Sequence, residues 1–231
     1  MLIALPNNDY SFTCTLFFPM MGPTSFETVK TKKNILNLFQ SQFPDVIKLM
    51  PNLVEDFQKN PTGDLASVYC KPWNLGGKAL LIGDAAHAVV PFFGLGMNAS
   101  FQDCSTLANL MGQNENDWET IFNNFSSTQV ENGHAIANMA LENYLEMRDH
   151  VNDPEYKKRR NVELKLERMF PGQFIPRYSM VSFHKIPYAE VYQQGEKQFK
   201  IISDVLMADP SGLSIDKAMV EKMLSYLGSS I

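Results

Sequence analysis

Apolar and polar residues alternate along residues 11–18: Phe12, Cys14, Leu16 and Phe18 fall on one side, Ser11, Thr13 and Thr15 on the other. That is the period of a half-buried antiparallel strand. Residues 2–5 form a second strand-like run, and Pro6-Asn7-Asn8-Asp9 between the two is turn chemistry, so residues 2–18 are expected to form a hairpin. Residues 26–59 read as helix in pieces, broken by Pro44 and Pro51. Residues 65–70 and 79–82 are strand-like and flank a loop containing Pro72, Gly76 and Gly77. From Met97 the period becomes helical. Met97, Phe101, Cys104, Ala108 and Met111 recur at alternating spacings of four and three, an apolar stripe of the kind an amphipathic helix buries. A polar loop over 113–117 leads to a long helix over about 118–150, and Asp153-Pro154 restarts a helix whose early part, 156–160, is basic. Pro171, Pro176 and Pro187 make 171–187 irregular, and two amphipathic helices close the chain near 189–207 and 214–227, the second capped by Ser214. No internal repeat and no low-complexity tract is present.

Composition narrows the class. A chain of 231 residues, 45% hydrophobic and 19% charged, is globular with a sizeable core, and a net charge of −5 offers nucleic acid no basic field. The three cysteines, Cys14, Cys70 and Cys104, are odd in number and contain no CxxC. That argues against a disulfide scaffold or a zinc site and for a reducing compartment. The N-terminus lacks the basic n-region of a signal peptide. Residues 79–97 are the longest apolar-looking run, but Asp84, His87 and three glycines interrupt them, so no segment reads as a membrane span. A chain that opens directly on a strand-like run is expected to be part of a longer one.

The candidate chemistry is concentrated in residues 80–98. Leu80-Leu81-Ile82 ends at Gly83-Asp84, a small-residue turn carries His87, and Pro91 opens the glycine-rich loop Phe92-Phe93-Gly94-Leu95-Gly96 before the helix at Met97-Asn98. A parallel strand delivers its carboxyl end, a carboxylate and a helix N-terminus to a ligand in this way. Asp84 can accept hydrogen bonds from ligand hydroxyls or cap the turn that follows; the glycine loop behind it favours the ligand. Gly94 to Ala99 formally matches G-x-G-x-x-A, but Pro91-Phe92-Phe93 separates it from the strand, so it is not the dinucleotide fingerprint. Its free N–H groups and positive dipole end still favour an anion. His87 has no Ser or Cys partner and no G-x-S-x-G elbow. Asp84, His87 and Asp103 form only a weak metal pattern, so His87 reads as structural. Asn143 sits in the apolar stripe Ile136, Ala140, Asn143, Met147, and a buried amide needs partners, from a substrate or from neighbouring backbone. Tyr178 is either a core aromatic or a pocket wall. The basic run Lys157 to Arg160 reads as a solvated helix face.

Four segments in order, MLIALPNNDYSFTCTLFFP, LIGDAAHAVVPFFGLGMNASFQDC, ENYLEMRDHV and FIPRYSMVSF, resemble the aromatic-ring FAD-dependent hydroxylases, in particular members acting on L-kynurenine. The resemblance implies an α/β (α+β) class and a partial FAD-dependent hydroxylase fold. Its parts would be a substrate-side sheet with helices over 1–75, the second flavin-binding motif over 76–112 and a helical C-terminal region over 113–231. It implies that Asp84 binds the ribityl chain of FAD, that Gly96, Met97 and Asn98 lie near the isoalloxazine ring, and that Asn143 and Tyr178 contact L-kynurenine. It also implies NADPH as reductant, O2 as co-substrate and hydroxylation at C3, with no side chain of this chain acting as nucleophile. The family usually carries Gln where Leu95 stands and Gly where Ser100 stands. Its Rossmann strand, true G-x-G-x-x-G turn and substrate-carboxylate Arg and Tyr are not in this sequence. The alternatives are an inactive remnant serving as a binding module and a related hydroxylase with another aromatic substrate. Animal members imply the outer mitochondrial membrane through a C-terminal anchor, of which the ending Ser229-Ser230-Ile231 shows no span.

Overall fold

The expected hairpin forms. In the computed structural model, which describes residues 1–114, 117–150 and 153–225, strands β1 (Leu2–Pro6) and β2 (Phe12–Leu16) pair antiparallel from Leu2↔Leu16 to Pro6↔Phe12. Asp9 Oδ1 accepts the Ser11 N–H at 3.1 Å and closes the turn. Helix α1 (Lys32–Gln42) begins where Thr31 caps the Asn34 N–H at 3.2 Å. A 3-10 turn over Ile47–Leu49 and helix α2 (Leu53–Lys59) follow. The breaks at Pro44 and Pro51 thus lie where expected. Ile35, Leu38, Phe39 and Leu53 form a core with Leu2, Leu16 and Phe18 packed on it. These elements make up one compact unit, Met1–Asp64; Leu65–Ile231 makes up the other. Residues 65–75 therefore belong with the second unit rather than ending at the 75/76 division read from the sequence. Trp73, in that stretch, is buried among Ala86, Phe125 and Val130.

The second unit holds strands β3 (Asn74–Leu75) and β4 (Ala79–Leu80) and helices α3 (Asp84–His87), α4 (Gly96–Gln113), α5 (Trp118–Leu145), α6 (Pro154–Met169), α7 (Arg177–Phe183), α8 (Tyr188–Ala208) and α9 (Lys217–Ser225), with a π turn over Glu146–His150. Two strand expectations fail here. Over 65–70 a single backbone bond, Val68 N–H to Ala88 O at 2.8 Å, replaces a ladder. The run over 79–82 shrinks to a two-residue rung that pairs antiparallel with β3, not parallel. Gly76, at φ +51, and the Lys78 N–H to Leu75 O bond at 3.0 Å reverse the chain there. The central helix is α5, which packs on α3, α4 and α8; α8 packs in turn on α6, α7 and α9. Among the described residues no helix is long and apolar enough to cross a membrane.

Prolines mislead over 171–187, where α7 forms. Pro176 and Pro187 stand at the N-caps of α7 and α8. There a missing N–H and a fixed φ start a helix instead of breaking one. The cap of α9 also moves: Asp216 Oδ1 accepts the Met219 N–H at 3.1 Å, while the Ser214 N–H donates to Asp209 Oδ2 at 2.7 Å. The expected end of that helix at 227, residues 115–116 of the polar loop and the chain's last residues lie outside the described residues.

Asp209 gathers the Ser211 hydroxyl at 2.6 Å and the N–H groups of Ser211, Leu213 and Ser214. These donors, the Ser211 hydroxyl foremost, hold its carboxyl at about 2, down from the ordinary 3.8. Because the folded value is the lower, the turn's contribution is complete above about pH 4 and is lost as pH falls through about 2. Hydrogen exchange at the Leu213 and Ser214 amides is expected to accelerate over that interval beyond its intrinsic pH dependence. Unchanged protection down to about pH 2 contradicts this assignment.

Candidate functional site

Gly83 is buried, sits at φ 63, ψ −143 as the N-cap of α3, and leads into an exposed Asp84. A Cβ at Gly83 would stand 3.2 Å from Ser100 Oγ, so the turn lies tight against α4. Asp103 of α4 ties the turn down. Its Oδ2 accepts the Gly83 N–H at 3.0 Å and meets His87 Nε2 at 2.6 Å, and both side chains are nearly fully buried. Behind His87 lies Trp73, stacked at 5.1 Å and 27°. The Trp73 indole N–H donates to Cys70 O at 3.0 Å, and its backbone N–H donates to Ser126 Oγ at 3.0 Å. The helix face beneath this stack is Gly133 of α5, where a Cβ would come within 2.6 Å of Trp73 Cη2.

The glycine-rich loop is held from two helices. Gly94, at φ +69, closes a turn by donating its N–H to Pro91 O at 3.2 Å. The Phe92 ring lies 4.5 Å from Tyr144, and Asn143 Nδ2 donates to Phe92 O at 2.7 Å, so α5 grips the loop. Phe93 stacks on Tyr178 of α7 at 5.8 Å. Arg177, next to Tyr178, bonds Glu142 Oε2 at 2.7 Å, and Tyr192 of α8 bonds Glu142 Oε1 at 2.9 Å. Burial, and secondarily that carboxylate, raise the Tyr192 hydroxyl's pKa. Gly195 leaves room for the Arg177 stem, whose Cδ a Cβ would approach to 2.4 Å. The start of α7 is thereby pinned between α5 and α8.

Helix α4 begins at Gly96 behind Leu95, whose side chain makes no capping bond. Met97 and Asn98 are exposed. The first N–H groups of this 18-residue helix thus have no side-chain cap at the positive end of its dipole. Leu95 itself packs on the core that contains Ile136, Met139 and Val191, and the Ser100 hydroxyl bonds its own helix at Gly96 O, 3.0 Å.

Asn143 and Tyr178, 35 residues apart in sequence, thus meet one loop, at the other end of which stand Gly96, Met97 and Asn98. Asp84 joins the same helix through Asp103. Sequence reasoning missed the bonding role of Asp103 and the Glu142–Arg177 clamp. The expected inward stripe of α4 is also reversed: Met97, Phe101, Cys104, Ala108 and Met111 are all exposed, Met97 at 69% and Phe101 at 62%. The inward face carries Ala99 and Asp103, with Leu107 and Leu110 packed on the Trp73 cluster. Both faces of α4 are apolar, and periodicity alone does not choose between them. Asp103, at i, i+4 from Ala99 and from Leu107, was the available signal.

Residues 31–120 match the FAD binding domain family. That range contains Asp84, Gly96, Met97 and Asn98. The kynurenine 3-monooxygenase of Myxococcus xanthus is 47% identical over 216 residues, which is 94% of this chain and 46% of the relative. That of Dictyostelium discoideum is 42% identical over 218 residues, 89% of this chain and 47% of the relative. Over most of its length the chain is similar to the kynurenine 3-monooxygenases. A third such relative, from Flavobacterium psychrophilum, is 40% identical over 99% of this chain. The chain spans about half the length of the curated relatives it matches. Its mostly helical architecture with two small sheets, together with the matched FAD binding domain, is a partial FAD-hydroxylase fold of the α+β kind expected from the sequence.

Proposed function

We propose that this chain forms the ribityl and ring side of a flavin site, with part of the substrate pocket, in an FAD-dependent monooxygenase that hydroxylates L-kynurenine at C3. The observation that carries the reading is the pairing of an exposed carboxylate, Asp84, with the uncapped N-terminus of α4, both fixed on the glycine-rich segment. This donor and acceptor set fits a flavin. Asp84 would accept from the ribityl hydroxyls, and the N–H groups at Gly96, Met97 and Asn98 would serve the electron-rich edge of the ring. When bound, FAD supplies the redox chemistry: two electrons come from NADPH, one atom of O2 enters the aromatic ring and the other leaves as water.

The chain's own residues do the rest. Phe92 packs on Tyr144 and Phe93 on Tyr178, and this apolar wall would keep water from a bound flavin ring. Tyr178, half exposed, offers a ring face to an aromatic substrate. Asn143 commits Nδ2 to Phe92 O, leaving Oδ1 to accept from an amino group. Titration of FAD into the purified chain, followed by flavin fluorescence, is expected to show binding, weakened by about 10- to 100-fold in Asp84→Ala as a charge-assisted hydrogen bond is lost. Absence of FAD binding by the chain overturns its role as a flavin holder. For the substrate, a protein carrying this chain is assayed with NADPH, O2 and L-kynurenine. Turnover of a different aromatic acid while kynurenine is left unchanged sinks the kynurenine assignment.

A further inference from the structure

Both hydrogen bonds made at Asp103 Oδ2 come from the segment that carries Asp84. The Gly83 N–H, one residue before Asp84, meets it at 3.0 Å, and His87 Nε2, three residues after, at 2.6 Å. The two contacts bracket Asp84. A carboxylate buried to this degree is held by its donors and not by solvent.

The bracket is rigid on every side. His87 Nδ1 is buried without a partner. A proton placed there would be an unmet buried donor and would leave Asp103 without its N–H, so the imidazole proton sits on Nε2. Trp73 covers one face of the His87 ring, stacked at 5.1 Å, and Gly133 lies beside the His87 Cβ. Gly83 occupies a positive-φ conformation that a glycine adopts without strain, and the bond from its N–H to Asp103 selects that conformation. Tyr188 of α8 lies in the field of the same carboxylate, which adds to burial in raising its hydroxyl's pKa. Asp84, by contrast, is exposed, and α3 is a helix of only four residues that cannot fix a direction by itself.

We propose that Asp103 is a positioning residue: through Gly83 and His87 it sets the turn on which Asp84 presents its carboxylate to the ribityl hydroxyls of FAD. The ligand in this statement rests on the flavin reading above. The geometry of the turn does not.

The test compares wild type, Asp103→Leu, Asp103→Asn and Val162→Ala. Val162 is fully buried in the separate core of α6, α8 and α9, so its truncation lowers stability without touching the turn. FAD affinity is expected to fall about tenfold or more in Asp103→Leu. In Asp103→Asn, which keeps an acceptor oxygen in place, it should fall no more than about threefold. Val162→Ala should leave it unchanged despite a lower melting temperature. Nuclear magnetic resonance supplies a readout that needs no flavin. The His87 Nε2–H is expected as a slowly exchanging downfield proton that vanishes in Asp103→Leu, with large shifts at the Gly83 and Asp84 amides. If Asp103→Leu does not fold, Asp103→Asn decides: loss of FAD affinity with the downfield proton retained, or loss of that proton with FAD affinity unchanged, counts against the proposal. Wild-type FAD affinity in folded Asp103→Leu overturns it, as does an equal loss in Val162→Ala. If no variant and no wild type binds FAD, the flavin reading falls, and unchanged Gly83 and Asp84 resonances in Asp103→Leu are then what overturn the positioning role.

Discussion

Replacing Trp73 with alanine is expected to lower the stability of the second unit by about 3–5 kcal/mol, the range for truncating a fully buried aromatic. Trp73 is 1% exposed and packs between His87 at 5.1 Å and Phe125 at 6.2 Å. The truncation empties that space, and Cys70 O loses the indole N–H it accepts. The backbone bond to Ser126 Oγ survives, since it is made by the main chain. The effect should spread to the Asp84 turn, because His87 loses the wall that fixes its ring. Denaturant unfolding followed by circular dichroism measures the loss, and amide exchange at Gly83 to His87 reports the spread. A loss below about 1 kcal/mol would mean that the surrounding side chains collapse into the space.

Gly133→Ala carries the second large effect, and its sign is the informative part. In the interior of a long helix alanine is favoured over glycine by about 1 kcal/mol. Here the added Cβ would sit 2.6 Å from Trp73 Cη2, 2.7 Å from Cζ2 and 3.0 Å from His87 Cβ. The fully buried indole has little room to retreat, so the overpacking penalty wins and a net loss of about 1–3 kcal/mol is expected. In a Trp73→Ala background the indole is gone and only the His87 Cβ contact at 3.0 Å remains, so the same substitution should become neutral or stabilising by up to about 1 kcal/mol. The double-mutant cycle therefore yields a coupling of opposite sign to the single effect. Additive losses would show that Gly133 is required for some reason other than the indole above it.

Much of the architecture was legible because local signals and tertiary packing agree. Strand alternation over 11–18, the breaks at Pro44 and Pro51, the restart at Asp153-Pro154 and the long helix from Trp118 each form as read. The failures have two causes: a competing local signal next to the one read, and partners distant in sequence. The run over 79–82 lost its expected parallel neighbour to the Gly76-Gly77 reversal. Pro176 and Pro187 open helices because Met180, Val181, Tyr188 and Val191 bury their faces in the core beside α5. Within the site, residue types at 84, 96–98, 143 and 178 could be singled out, but not their bonds. Asn143 reads as an amide in an apolar stripe; only the fold shows that it grips the loop at Phe92 O. Leu95, where the family usually has a polar side chain, turns into the core, a choice that depends on Ile136 and Val191, 41 and 96 residues further along the sequence. The Asp103 bracket was the least readable part, because its three members lie at positions 83, 87 and 103 and only one of them is acidic.

The outward apolar row of α4 bears on how the chain behaves in a test tube. Met97, Phe101, Ala108 and Met111 run along one side of the helix with the Cys104 thiol in their midst, all open to water. Two copies that meet along this row bring thiol to thiol. In air such an encounter ends in a covalent bond, and what began as reversible stickiness becomes permanent. Reductant in the buffer, or a serine at position 104, should keep the chain monodisperse enough for the flavin titrations to be interpreted.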